Sequence, residues 1–403
     1  MGRKKRRLHS SQSRHVAVDQ RTRAFLDRPR LNTNHTHPDT IQRNLMTLPF
    51  KIGVLQLSME PLHETVHMAQ ACDAAGFDVF WLAEAYPWWR KHSMEARSST
   101  AATAIIARET RNIAIGWGII SPYTRHPVQI AMEARILQEA AGEGRFLLGL
   151  GASKIFMKEI GEGEKGREVG PATVMRESIE IIKAMLSGNE VKYEGKAFQA
   201  FAPALKPDAH VPRWQPPLYI GATGPVLQRL AGAMTQGLLT ASITTPKFAA
   251  YSRGIMEEGA KKAGRDGAQL DLGCVVVGSV GEDPKTAREG AREMAAMYLA
   301  NKVQNIKSSA DKLLECAGLT MEEIQPIAGA MEKGGRKAAA RAVSDTILDK
   351  VCPVAGSPKQ CIEKLEEYRA AGCTQMMLEL WGDHRLQQAR LFGEKVLPHF
   401  HKK

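Results

Sequence analysis

The chain has 403 residues, 43% hydrophobic and 24% charged, the composition of an ordinary globular chain long enough to bury a full core. Its formal net charge is +12, but residues 1–45 hold eleven Lys/Arg against three Asp, so the excess belongs mostly to one end. No apolar run approaches the ~20 residues needed to span a bilayer. The six cysteines form no C-x-x-C pair, which excludes a disulfide framework or a cysteine zinc site and points to a reduced, cytoplasmic setting.

Residues 1–45 open with the basic run RKKRR at 3–7 and continue through Pro29, Pro38 and a polar Asn/Thr/His stretch without apolar periodicity. They read as a disordered extension. Such basic runs can bind nucleic acid or act as an address, but no nucleic-acid contact is expected here.

From residue 50 strand and helix alternate. Strands are predicted over 50–57, 78–83 (DVFWLA), 113–120, 145–151 (RFLLGLG), 217–221, 237–241, 270–279 and 374–380. Helices are predicted over 61–76, 95–109, 128–141, 172–186, 226–234, 247–262 and 285–299, with a last one reaching Val396. Residues 189–215 are less regular, and 301–349 read as a helical insert before the last strand. Eight strands each followed by a helix imply parallel pairing. They fit one closed (β/α)8 TIM barrel over 46–403, an open doubly wound sheet being the alternative.

Two motifs are decoys. His63, Glu64 and His67 spell H-E-x-x-H, but the histidines flank the apolar stripe of a first outer helix and no further ligand follows, so no metal is expected. GEGEKG at 161–166 spells G-x-G-x-x-G, yet it follows no strand and carries two carboxylates where a pyrophosphate would sit.

Three strand ends are better candidates. In IAIGWGIISPYTRHP at 113–127, Gly116 and Gly118 interrupt a β-branched strand, the mark of a bulge or of a close approach to the backbone. Pro127 is placed for the first turn of the next helix. LYIGATGP at 218–225 runs from a strand through Gly221, Ala222, Thr223, Gly224 and Pro225 into a helix, and free N–H groups there make an anion cradle. RFLLGLGAS at 145–153 brings Gly151, Ala152 and Ser153 to a third strand end, and barrel active sites gather at such ends. DVFWLAEAY at 78–86 carries Glu84 to a fourth, a candidate acid, base or hydrogen-bond partner, with Trp88 and Trp89 beyond it as pocket walls or rim cover.

Together with KIGV at 51–54 and VAGSPKQCIEKLEEYRAAGCTQ at 354–375, these blocks resemble the bacterial-luciferase-like superfamily of flavin and deazaflavin enzymes. Within it they resemble the F420-dependent 5,10-methylenetetrahydromethanopterin reductases. The resemblance implies a barrel, a homodimer, a small-molecule substrate, no membrane partner, and coenzyme F420 as cofactor, FMN being the alternative. It also implies a bulge on the third strand with a cis peptide bond between Gly118 and Ile119, and cofactor contacts from Trp117, Gly118, Ile119, Gly151, Ala152, Ser153 and 221–225. Arg125 and Lys154 would face the acidic cofactor tail, and Glu84 would be the polar partner of substrate or ring. The polar groups near the ring differ from the reductases: Leu55 replaces an acid, Glu84 and Ala85 replace Asp-His, and Lys154 replaces an Asp. The implied activity is F420-dependent hydride transfer. An FMN-dependent monooxygenase and a silent flavin-binding barrel are the alternatives.

Overall fold

The computed structural model describes residues 48–84, 95–152, 169–205, 215–305, 309–381 and 384–401. The expectations for the basic extension, for Ala85, Trp88 and Trp89, for Ser153 and Lys154, and for the loop at 161–166 fall outside the described residues.

All eight predicted strands form. They are β1 (Lys51–Leu57), β2 (Val79–Ala83), β3 (Ala114–Trp117), β4 (Phe146–Gly151), β7 (Leu218–Gly221), β8 (Gly237–Leu239), β9 (Asp271–Val280) and β11 (Gln375–Leu380). Each pairs in parallel with its neighbours, and β8 against β9 together with β9 against β11 closes the ring into a (β/α)8 barrel. Burial on both faces explains why these strands read as continuous apolar runs rather than alternating ones.

Three departures from the sequence reading have local causes. The third strand stops at Trp117, and the chain bulges before Ile120 bridges to Leu150. Part of the stretch read as irregular is an antiparallel hairpin, β5 (Val191–Glu194) with β6 (Gln199–Ala202). A three-residue strand, β10 (Val354–Gly356), extends the sheet along the far half of β9.

Among the described residues the helices are α1 (Leu62–Ala75), α2 (Ser99–Glu109), α3 (Pro127–Ala141), α4 (Pro171–Leu186), α5 (Pro225–Met234), α6 (Pro246–Lys262), α7 (Pro284–Asn305), α8 (Ser309–Ala317), α9 (Met321–Ala342), α10 (Asp345–Val351), α11 (Pro358–Ala370), α12 (Arg385–Lys395) and α13 (Leu397–Phe400). Side chains start several of them. Ser98 caps α2, and capping boxes open α9 (Thr320 with Glu323) and α11 (Ser357 with Gln360). Such a cap is worth about 1 kcal/mol. Pro127 occupies the first turn of α3, as expected. α1 buries Thr65, Met68, Ala69 and Cys72, leaving Leu62 exposed. The predicted insert is helical (the end of α7, then α8 to α10) and has its own core around Leu299, Ile324, Ile327 and Leu348.

The barrel interior is packed, not hollow. Leu55, Trp81, Leu147, Tyr219, Val275 and Met377 fill it, with Trp81 edge-on to Tyr219 at 5.4 Å. At the N-terminal end of the strands Asp271 gathers the floor. Lys51 Nζ and the Tyr219 hydroxyl each donate to it at 3.0 Å, and the Thr374 hydroxyl donates to its other oxygen. Burial alone would raise the Asp271 pKa, but the Lys51 charge and these hydroxyls outweigh it and hold the carboxyl below its usual range.

Candidate functional site

The opposite, C-terminal rim is where the candidate residues meet. At the end of β3 the chain leaves the ladder through a cis peptide bond between Gly118 and Ile119, the bond the resemblance singled out. Its surroundings are tied on both sides. Gly118 N–H donates to Leu82 O at 3.0 Å, Glu84 N–H to Ile119 O at 3.2 Å, and Ile120 N–H to Gly149 O at 3.1 Å.

The space beside Gly118 is nearly full, so a larger residue there would make its neighbours give by a few tenths of an ångström. A Cβ there would lie 3.1 Å from Leu55 Cδ1 and 3.2 Å from both Met377 Cε and Trp81 Cβ. At Gly151 and Gly221 the crowding neighbour is Ile119. A Cβ on Gly151 would come within 2.6 Å of Ile119 Cδ1, and one on Gly221 within 2.8 Å of Ile119 Cγ2. The side chain of Ile119 is thus seated across the ends of β4 and β7. Being only half-buried, it offers an apolar surface at the barrel mouth. Trp117 does not join it. Its ring is fully buried in the outer core layer, edge-on to Phe146 at 5.1 Å, because alternate residues of a strand face opposite sides. Any contact from position 117 to a ligand at the mouth would come from its backbone.

The turn 222–224 leads into α5, whose start has no side-chain cap. Gln228, fully buried, donates from Nε2 to Ala222 O at 3.4 Å and to Thr223 O at 3.2 Å. In a trans peptide the C=O and the following N–H point oppositely. With both carbonyls turned toward Gln228, the N–H groups of Thr223 and Gly224 are aimed away from it. That is the arrangement an anion needs at a helix start. Ala152, at the end of β4, accepts the Ser121 hydroxyl at 3.3 Å.

Glu84 is buried at the end of β2, as its place after a strand suggested, but it is not free. Arg125 donates to it twice, from Nη1 at 2.6 Å and Nη2 at 2.7 Å, and also lies 3.4 Å from Glu133. This two-pronged pair locks the loop after the bulge to the end of β2. Arg125, expected at the cofactor tail, is thereby engaged with Glu84.

The sequence reading missed Glu379. It stands on β11 two residues beyond Met377, so it shares the inward face, and it is 3% exposed. Tyr298 of α7 donates its hydroxyl to one carboxylate oxygen, and Ser242, beyond β8, donates to the other at 3.1 Å. Burial pushes its pKa up to about 7, the two hydroxyls opposing the rise. The signal was a lone Glu inside QMMLEL, in register with Gln375 and Met377.

His63 and His67 are exposed on α1, on the outer helix ring.

The described residues thus form a closed (β/α)8 barrel with a bulged third strand, an apolar seat at its mouth and an uncapped helix start beside it. The family model for luciferase-like monooxygenases matches residues 43–375, and the chain belongs to that family. It is 29% identical over 360 residues to the 5,10-methylenetetrahydromethanopterin reductase of Methanopyrus kandleri, covering 86% of this chain and 98% of that one. It is 25% identical over 341 residues to the F420-dependent glucose-6-phosphate dehydrogenase of Nocardia farcinica, covering 83% and 93%. The structure of the coenzyme F420 dependent tetrahydromethanopterin reductase from Methanopyrus kandleri superposes with a TM-score of 0.76 at 28% identity, covering 87% of this chain and 99% of that one.

Proposed function

We propose that this protein is an F420-dependent oxidoreductase that moves a hydride between C5 of the deazaflavin and a small organic substrate. The observation that carries the reading is the bulge at Gly118 and Ile119, with Ile119 seated on Gly151 and Gly221 at the mouth of the barrel. Similarity along most of the chain to enzymes named for F420 supports it.

The residues fit the cofactor. A flat ring needs an apolar surface, and Ile119 offers one. An acidic tail needs N–H donors, and Thr223 and Gly224 present theirs at an uncapped helix start. When bound, the deazaflavin supplies the two-electron hydride chemistry. The chain would supply position: the bulge would hold the ring, and the Glu84 pair with Arg125 fixes the loop beside the bulge. The changed groups at Leu55, Glu84 and Lys154 favour a substrate other than the pterin of the reductases. A homodimer in the cytoplasm completes the reading.

Fluorescence titration of F420 and of FMN into the purified protein tests it. F420 should bind at least tenfold tighter, about 1.4 kcal/mol, and Gly224→Asp should weaken that binding by placing a carboxylate among the N–H donors. Tighter FMN binding with oxygen consumption would select the alternative reading, an FMN-dependent monooxygenase.

A further inference from the structure

We infer that Glu379, held between Tyr298 and Ser242 at the barrel mouth, is the group that exchanges a proton with the substrate during hydride transfer. This rests on the proposed deazaflavin chemistry and assigns its substrate a class: a polarised C=O or C=N bond in the oxidised form, an alcohol or amine in the reduced one.

The placement comes first. Gln375, Met377 and Glu379 point into the barrel along one face of β11. Gln375 joins the floor network, and Met377 closes on Gly118. Glu379 is one step further toward the mouth, above the level at which Met377 meets the bulge. It borders a cavity of about 30 Å³ shared with Leu57, Met294, Trp381 and Arg385, room for one water beside the carboxyl.

The charge environment suits a proton carrier. Among the described residues no cation pairs with Glu379, in contrast to Glu84. α7 brings Tyr298 against it, with Lys302 one turn further along that helix, and the segment after β8 brings Ser242. Glu60 and Arg385 line the same cavity but pair with each other at 3.1 Å. Burial therefore leaves the carboxyl near neutrality, where a general acid-base works best.

In the reductive direction Glu379 gives its proton to the heteroatom as the hydride reaches the carbon. The π pair of the C=O or C=N bond becomes the new bond to that proton. The substrate gains two electrons and two hydrogens, and the deazaflavin is oxidised by the same two electrons. The proton lost from its ring leaves to solvent, and Glu379 takes one back. The carboxylate left in between accepts the Tyr298 and Ser242 hydroxyls. In the oxidative direction the same groups run in reverse.

Infrared pH-difference spectra of the cofactor-free protein give the first readout. Wild type should lose a protonated-carboxyl band as pH rises through about 7, Glu379→Gln should lack that band, and Tyr298→Phe should shift its midpoint. Steady-state assays with F420 and a panel of small aldehydes, ketones, imines and secondary alcohols give the second. Glu379→Gln should lower kcat at least tenfold with the F420 affinity unchanged, and should abolish the fall in reduction rate above about pH 7. Unchanged circular dichroism and F420 affinity show that the variants are folded and loaded. A spectrum without that band, or a Glu379→Gln enzyme with wild-type kcat and pH profile, overturns the inference. Failure to bind F420 overturns the functional reading instead, and the infrared result remains separately readable.

Discussion

Glu84 and Glu379 are both buried carboxylates at the C-terminal ends of barrel strands, and their partners send them different ways. Glu84 meets a guanidinium with both oxygens, whereas Glu379 meets two hydroxyls. The raised Glu379 pKa has a consequence for stability. The folded state holds this proton up to about pH 7, the unfolded chain only to about 4.5. Its contribution is therefore fully present below pH 4.5 and is lost as pH rises through about 7. Glu379→Gln should remove that slope and be the more stable protein at pH 8, by up to about 3 kcal/mol. Urea melts of both proteins at pH 4.5 and 8 would show it, and equal slopes would refute it. Glu84 was legible because it directly follows a buried strand. Its pairing was not, since Arg125 lies 41 residues away and no local pattern links the two. Glu379 was hidden by the opposite circumstance: its strand is so apolar that one acidic letter reads as an exception, until the inward register is known.

At the level of elements, the bulge and the two glycine-ended strands form one piece of machinery. Gly221→Ala would push a methyl toward Ile119 Cγ2, at 2.8 Å before relaxation. The far end of a side chain can yield, so the barrel should still fold. Ile119 would move, and F420 binding should weaken roughly tenfold, about 1.4 kcal/mol. Adding Ile119→Ala should remove the conflict, so the double variant should bind better than the sum of the two single losses allows. Titrations of the four proteins close the cycle, and strict additivity would mean the glycine acts on its own. The glycines themselves were readable as places of close approach; what approaches them was not. The β5 and β6 hairpin escaped for a similar reason. Its turn is held by Glu177 of α4, which accepts the N–H groups of Lys196, Ala197 and Phe198 at 2.9, 2.8 and 3.0 Å, a contact from 19 to 21 residues away.

Across the described residues, the Asp271 network and the candidate site sit at opposite ends of the barrel. The alternation of eight apolar strands with helices was plain in the sequence. The floor that ties the ring shut depends on pairings such as Lys51 with Asp271, 220 residues apart, which no local pattern announces. Asp271→Asn should cost about 2–4 kcal/mol, since it removes a buried charge that has a cation and hydroxyl donors arranged around it. kcat/KM should stay within about twofold, because barrel chemistry belongs to the other face. Asp271 ionises below its usual range, so the stability it contributes is present above the ordinary carboxylate pKa and lost as pH falls. The variant should therefore lose less than wild type on acidification, as thermal melts from neutral to acid pH would measure. His63→Ala with His67→Ala, on the outer ring, should leave melting temperature, metal content and activity unchanged. Stoichiometric zinc lost together with activity would contradict that.

The seat of Ile119 also constrains the history of this barrel. A side chain at position 151 or 221 displaces Ile119 while 119 keeps its full bulk, and a smaller residue at 119 relieves that conflict at both glycines. In descendants of this sequence changes at the three positions should therefore be correlated. Lineages that lose the branched residue at 119 are the ones in which side chains at 151 and 221 become permissible.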